Sequence, residues 1–567
     1  MNSQFSTFLS KTDHTLLAIV CISFTSLLLR IINLGSRVAH WDEGRVGYDI
    51  LRYVDTGIWH YRPIVHGPFL PQINHYIFEF AGANDFTARI SVAIIGGLFP
   101  LAVWLYRDHL NNRELIALSL FLALDPLLLY YSRFMRNDVI VAAFAFIFVG
   151  YCLRFLSTHK SQYLYYASAF LALAFTAKEN ALLYVLILFA CIFLLFDHKL
   201  FIIRDKKPGW TVTITQTISQ LSESIWHWRK HLFIATLEFI FILFLFYAPR
   251  TGPLGGIGID HIFSNPLILP SVLSVALLDS ASNIVAEWVL GPSTDHAYLP
   301  YLKNYLLSLL NASGALVLLA FIGFLSDRYG GKHPRNIVAL GFYWGIFSLF
   351  LYPLSIDISS SWAVVHTVVP FTIPAAVGAA VIYNWASESF SSNDKIGASL
   401  AIILLLLISL GTLGISISTS HIHSYDESNF IVQYAQPDAN MHETLQAIHL
   451  ASVTHSDLDV LYYGDYFLVE NEEDAYLLPL RDGEWYNRLP ISWYLESYGS
   501  TVDSTADLLL FEAILEDQNP PVIIARSNEA EEIQSFLSEY QQIEHEIRQF
   551  NVDIVFFIHQ DYTLSKN

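Results

Sequence analysis

The stretch His40-Trp41-Asp42-Glu43-Gly44-Arg45 sets two adjacent carboxylates between an imidazole and a guanidinium, shortly after an apolar run at 16–34. A carboxylate so placed can take the proton from a hydroxyl as its oxygen attacks the anomeric carbon of a sugar. Two like charges side by side raise one member's pKa, which favours that role. Asp42 is therefore the candidate base and Glu43 its companion. Arg52, Arg62 and His66 share the connecting segment. In Tyr61-Arg62-Pro63-Ile64-Val65-His66-Gly67-Pro68-Phe69 the prolines stiffen the chain and Gly67 permits a tight turn. His40, Arg62 and His66 are candidate ligands for a sugar or phosphate.

A second cluster, Arg133-Phe134-Met135-Arg136-Asn137-Asp138, stands where the third apolar run ends. Guanidinium forks match phosphate oxygens, so Arg133 and Arg136 are candidate phosphate ligands. Lys178, in the turn Lys178-Glu179-Asn180, and Arg250, after Tyr247-Ala248-Pro249, are further candidates. Asn137 is a candidate substrate ligand and Asp138 a third candidate catalytic carboxylate. If the chemistry uses a divalent cation, Asp42 and Asp138 are the pair expected to share it. His366 lies inside an apolar run, and an intramembrane polar side chain faces a cavity or the protein interior rather than lipid. Asp125-Pro126 predicts a kink with a buried carboxylate. The 21 histidines show no pair at reliable metal-ligand spacing. The two charged clusters are expected to face each other.

The elements that must position these residues are transmembrane helices. The chain has 567 residues, 54% hydrophobic and 14% charged, with mean hydropathy +0.42, which excludes an ordinary soluble enzyme. Runs long enough to cross a bilayer, about 17–22 residues each, are read at 16–34, 86–106, 115–131, 139–156, 163–177, 181–197, 231–248, 306–325, 336–354, 363–383 and 397–416. The first reads as an anchor rather than a cleaved signal, because its apolar region is long and no small-residue cleavage site follows. Lys and Arg concentrate in the loops 198–230 (Lys199, Arg204, Lys206, Lys207, Arg229, Lys230) and 326–335 (Arg328, Lys332, Arg335). Cytoplasmic loops carry that bias. The N-terminus is then cytoplasmic, and the segments 35–85, 132–138, 178–180, 249–305 and the tail lie on the outer face.

The charge is divided unevenly. From Ser420 onward 27 acidic residues accompany 5 basic ones, a net −22, whereas the remainder is +2. The expected organisation is a membrane domain, 1–419, whose outer loop 35–85 carries the Asp-Glu pair, and an acidic extracytoplasmic α/β domain, 420–567. Within the latter, strands are expected at 460–463, 522–525 and 552–558 and a helix near 529–540. Such acidity excludes nucleic acid and anionic lipid as partners and suits a surface solvated in concentrated salt, as in a halophile. Cys21, Cys152 and Cys191 all lie in apolar runs, which reads as packing, and the tail contains no cysteine.

The segments HWDEGRVGYDILRY (40–53), YRPIVHGPFLP (61–71), YYSRFMRND (130–138) and TAKEN (176–180) carry a family likeness. Over roughly 15–420 the chain resembles the membrane glycosyltransferases of the C-type fold, which include protein O-mannosyltransferases and lipid A aminoarabinose transferases. More narrowly it resembles the archaeal flippase activity-associated proteins of the N-glycosylation pathway, a likeness to which Trp493-Tyr494-Leu495 adds. The resemblance implies a polytopic α-helical membrane protein of about eleven spans with a soluble C-terminal α/β domain. It implies a polyprenyl (dolichyl) phosphate sugar donor, a glycan or protein acceptor, other glycosylation-pathway membrane proteins as partners, and Asp42 as the catalytic carboxylate. The alternative is a flippase, or a flippase accessory protein, for lipid-linked sugars. A transporter should show broken helices or charges at the bilayer midplane. A third reading is a non-catalytic assembly protein in which the Asp-Glu pair is structural.

Overall fold

The computed structural model describes residues 14–63, 66–203, 210–288, 290, 297–330, 334–355, 360–426, 428–432, 435–437, 441–469, 471–472, 484–548 and 552–563. Ile64, Val65, Arg204, Lys206, Lys207 and Lys332 lie outside the described residues. The main helices are α1 (His14–Ile31), α2 (Trp41–Thr56), α3 (Phe69–Ala81), α4 (Asp85–Leu98), α5 (Asn112–Leu124), α6 (Pro126–Tyr131), α7 (Asp138–Thr158), α8 (Ser161–Ala177), α9 (Ala181–Ile203), α10 (Trp210–Tyr247), α11 (Tyr298–Leu325), α12 (Asn336–Ser355), α13 (Val365–Ser391), α14 (Lys395–Ile417), α15 (Met441–Thr454), α16 (Ile491–Tyr498), α17 (Leu508–Gln518) and α18 (Ser527–Ile533).

Among the described residues nine helical stretches are long and apolar enough to cross a membrane, with Ala181–Phe196 as a shorter apolar helix. The chain is a multi-pass membrane protein. Eight of the nine coincide with expected spans. The ninth, Pro266–Trp288, falls in what the sequence presented as the outer loop 249–305, which is thus not a loop throughout. Pro266, Pro270, Asp279 and Glu287 interrupt its hydropathy, and its helix passes through 3₁₀, α and π turns. The expected fifth span is the 17-residue α8.

The expected third span, 115–131, is two helices. Asp125 ends α5 and caps α6, its Oδ1 accepting from the N–H groups of Leu127 (3.1 Å) and Leu128 (3.3 Å). Pro126 offers no N–H to the Leu122 carbonyl four residues back, so the break leaves carbonyls that hydrocarbon cannot satisfy. Arg30 donates to those of Ala123 (3.0 Å) and Leu122 (3.4 Å), and the Ser416 hydroxyl to that of Leu124. Ser313, at a kink in α11, donates to Asp125 Oδ2 (2.6 Å). The buried carboxylate foreseen at Asp125 is a helix cap.

The compact units differ from a simple split at Ser420. One comprises 1–32, 58–72 and 90–422, and the other 33–57, 73–89 and 423–567. The segments flanking the Asp-Glu pair therefore belong with the acidic tail. In that second unit five strands, β3 (Val460–Tyr463), β4 (Val502–Thr505), β5 (Val522–Arg526), β6 (Tyr540–Arg548) and β7 (Val552–His559), form a sheet of order β4-β3-β5-β7-β6; the short β1 (Ile58–Trp59) and β2 (Arg250–Thr251) pair in the first unit. β3 runs parallel to β4 and β5, and β7 is antiparallel to β5 and β6. Alternate residues Leu461, Tyr463, Ile523, Ala525, Val555 and Phe557 pack with Phe511 of α17 and Ala530 and Ile533 of α18. The helix expected near 529–540 is shorter, because Tyr540 already pairs with His559 in the β6–β7 hairpin.

Candidate functional site

In the second unit, the Asp-Glu pair opens α2 as its first turn. His40 is the N-cap; its Nδ1 accepts from the Asp42 N–H (3.0 Å), while Glu43 Oε2 accepts from the His40 N–H (3.0 Å). This reciprocal capping box satisfies two otherwise orphan donors. Glu43 is 2% exposed and lies between two guanidiniums, accepting from Arg37 (3.0 Å) and, at both oxygens, from Arg89 (2.8 Å each). Burial pushes its carboxyl up, but Arg37, Arg89 and the hydrogen bonds outweigh burial and hold it down at about 2. The mutual repulsion expected of neighbouring carboxylates therefore does not raise Glu43. Successive helix positions point apart, and Glu43 is neutralised on its own side. Glu43 fixes the element structurally. Asp42 remains more open, its side chain 12% exposed, with Arg45 at 3.3 Å and His40 Nδ1 at 3.8 Å.

In the first unit a separate polar cluster centres on Asp138, the first residue of α7 and 1% exposed. Its Oδ1 accepts from Lys178 Nζ (2.8 Å) and lies 3.1 Å from His366 Nε2; its Oδ2 accepts from Arg136 Nε (3.3 Å). The Arg136 guanidinium stacks 3.7 Å from the Trp362 ring centre. His366 Nδ1 meets the Tyr184 hydroxyl (2.6 Å), its Nε2 lies 3.0 Å from the Asn180 amide, and its ring stacks on Tyr352 at 4.3 Å. Asn137 is the buried N-cap of α7. Beside this group Glu179 accepts from the Tyr61 hydroxyl (2.6 Å) and faces His66 Nδ1 at 3.6 Å. Burial, and then Lys178, push His66 below its ordinary value; burial and Glu179 push Tyr61 up.

The tight turn before α3 differs in detail from expectation. His66, not Gly67, takes the left-handed conformation (φ 67°). Gly67 is needed for close approach, since a Cβ there would sit 2.3 Å from the Thr176 carbonyl oxygen and 2.5 Å from that of Ala177. The YRPIVHGPFLP and TAKEN segments therefore meet backbone to backbone, which sequence spacing could not reveal.

Two expected phosphate ligands are otherwise engaged. Arg133 donates to the carbonyls of Leu29 (3.0 Å), Arg30 (2.9 Å) and Ile32 (2.6 Å), and Arg250 to those of Leu245 (2.8 Å), Phe246 (3.3 Å) and Ala248. Each closes a helix C-terminus, of α1 and of α10, where a cation complements the dipole. Arg62 is half-buried beside Tyr61. The polar residues not foreseen are Tyr61, Glu179, Asn180, Tyr184 and Trp362; adjacency to Lys178 was the only sequence signal for two of them. A divalent cation does not fit Asp138, whose oxygens face an ammonium, an imidazole and a guanidinium. Among the described residues no group of three or more His, Cys, Asp or Glu gathers to hold one.

Residues 65–226 match the dolichyl-phosphate-mannose-protein mannosyltransferase family and residues 441–559 the Agl23 flippase-associated protein C-terminal domain. The fold is similar to ArnT from Cupriavidus metallidurans bound to undecaprenyl phosphate, with 12% identity, a TM-score of 0.54 and coverage of 95% of this chain and 97% of that one. It is also similar to the apo oligosaccharyltransferase of Archaeoglobus fulgidus, with 14% identity, a TM-score of 0.51 and coverage of 98% and 77% respectively. No curated protein matches by sequence. The chain thus has the C-type membrane glycosyltransferase fold, and the mannosyltransferase match lies within it at 65–226. Its C-terminal part, 441–559, matches the C-terminal domain of Agl23 flippase-associated proteins.

Proposed function

We propose that this protein moves a sugar from a polyprenyl (dolichyl) phosphate to a glycan or protein acceptor at the outer membrane face, with inversion at the anomeric carbon. Asp42 takes the proton of the acceptor hydroxyl. Arg136 and Lys178 hold the donor phosphate, and Asp138 and His366 orient them. The observation that carries this reading is the sharing of one carboxylate, Asp138, by two cations, Lys178 and Arg136. Around Asp138 itself the cations outnumber the carboxylate two to one, the next carboxylate being Glu179 beside Tyr61 and His66, and such a pair of cations suits a phosphate leaving group. The mannosyltransferase match over 65–226, which includes the Asp138 and Lys178 segments, and the basic loops on the opposite side of the expected topology support it.

The second reading, a flippase or its accessory, is favoured by the Agl23 domain at 441–559. A broken helix is indeed present at Asp125. Its freed carbonyls, however, are filled by the protein's own Arg30 and Ser416 rather than left for cargo. Lipid-linked and protein-linked glycan profiling of a deletion strain complemented with Asp42→Asn separates the readings. Transfer should fall by about 10²–10⁴-fold, as for loss of a catalytic base, at unchanged protein level. A full glycan profile from that allele would refute the enzyme reading and leave the flippase one.

A further inference from the structure

Within the second unit, α2 carries glycines at 44 and 47, three residues apart on one face. Each costs an isolated helix about 1 kcal/mol relative to alanine, and both have helical neighbours on either side. The reason is tertiary. A Cβ on Gly44 would lie 2.7 Å from Cβ of Pro490, and one on Gly47 would lie 2.7 Å from the indole of Trp493. Pro490 and Trp493 belong to α16 and its approach, a segment more than 440 positions downstream. The residues leading into Asp42 are held by the same domain. The Ala39 N–H donates to the Tyr494 hydroxyl (2.7 Å), which itself donates to Asp85 (2.8 Å). Gln436 bridges Arg37 (2.6 Å) and the Val38 carbonyl (3.0 Å), and the Trp41 indole donates to the Tyr486 carbonyl (3.1 Å). Arg37, Val38, Ala39 and Trp41 thus each have a tail partner, and the helix face behind Asp42 packs on the tail.

We propose that the acidic C-terminal domain positions the proposed base, in that Trp493, Tyr494 and Gln436 seat the first turn of α2 and set the direction of the Asp42 carboxylate. The inference rests on Asp42 acting as the base. It makes the domain a constitutive part of the enzyme rather than an appended cap. A displacement of about 1 Å of a reacting group costs on the order of 100-fold in rate, so loosening this seat acts on turnover, not on donor affinity.

The test uses the full-length protein in detergent with a polyprenyl-phosphate-linked sugar. Gly47→Ala improves helix propensity but drives a methyl into the Trp493 ring. The expected result is a catalytic constant per folded molecule lowered at least about tenfold with donor KM unchanged. In the double variant Gly47→Ala with Trp493→Leu, where the smaller side chain makes room, turnover should return to within about threefold of wild type. Tyr494→Phe, which keeps the ring and removes two hydrogen bonds, should lower the catalytic constant without changing the yield of folded protein. Wild-type turnover in Gly47→Ala and Tyr494→Phe, or a double variant no better than Gly47→Ala alone, would overturn the inference. Full activity of Asp42→Asn would instead overturn the base assignment, so the two failures are distinguishable.

Discussion

Glu43→Gln is expected to unfold the Asp-Glu element rather than silence a catalytic group. The wild-type carboxylate faces Arg37 at 3.0 Å and Arg89 at 2.8 Å through each oxygen, and also accepts from the His40 N–H. A glutamine of the same shape leaves two buried guanidiniums without their counter-charge, and breaking a buried pair in this way costs roughly 3–5 kcal/mol. At about 2–4 °C per kcal/mol for a unit of this size, the second unit should melt on the order of 10 °C lower. The pH dependence gives a sharper test. The folded carboxyl is held down at about 2, against an ordinary value of 4.5. Its contribution is therefore complete above the unfolded value and is lost as pH falls through the window from 4.5 toward 2. The melting temperatures of wild type and Glu43→Gln, measured in detergent by tryptophan fluorescence, should differ by a constant amount above about pH 5 and converge below it. A gap absent at neutral pH, or one that persists unchanged down to pH 3, would refute the structural assignment of Glu43.

Arg136→Ala should weaken use of the lipid-phosphate donor by roughly 1.5–3 kcal/mol, the worth of a charge-assisted contact, while Arg133→Ala should instead lower stability by freeing the α1 carbonyls; donor titrations and melting curves separate the two, and an unchanged donor KM in Arg136→Ala would remove it from the phosphate site. Reporter fusions after Ser420 are expected to be active on the outer side. Activity confined to the cytoplasm would mean that Pro266–Trp288 crosses the bilayer and that the expected topology is inverted beyond it. The melting temperature of the full-length protein should fall between molar and tenth-molar salt, because screening lengthens from about 3 Å to about 10 Å and the net −22 of 420–567 repels itself. A salt-independent melt would argue against solvation in concentrated salt and for a basic partner.

Much of the first unit's candidate polar cluster was legible because its residue types are costly away from water. Arg136, Asp138, Lys178 and His366 stand out against apolar runs, and a buried charge must have a partner. Eight of the nine membrane-length helices were legible as apolar runs, Pro266–Trp288 being hidden by its prolines and acids, and so were the three central strands of the tail, whose apolar character reflects burial on both faces of the sheet. Partners were not legible, because they depend on chain segments far apart in sequence. Nothing local distinguishes Arg136, aligned with Asp138 and Trp362, from Arg133, which closes a helix end three residues earlier. Nothing near Glu43 announces Arg89, and nothing near Gly47 announces Trp493. The sequence by itself determined which groups must be neutralised and most of the apolar runs long enough to cross a membrane. Only the tertiary structure decided which cation neutralises which carboxylate, and that Asp42 is built into a unit with the acidic tail, since those choices are made by close packing between segments hundreds of residues apart.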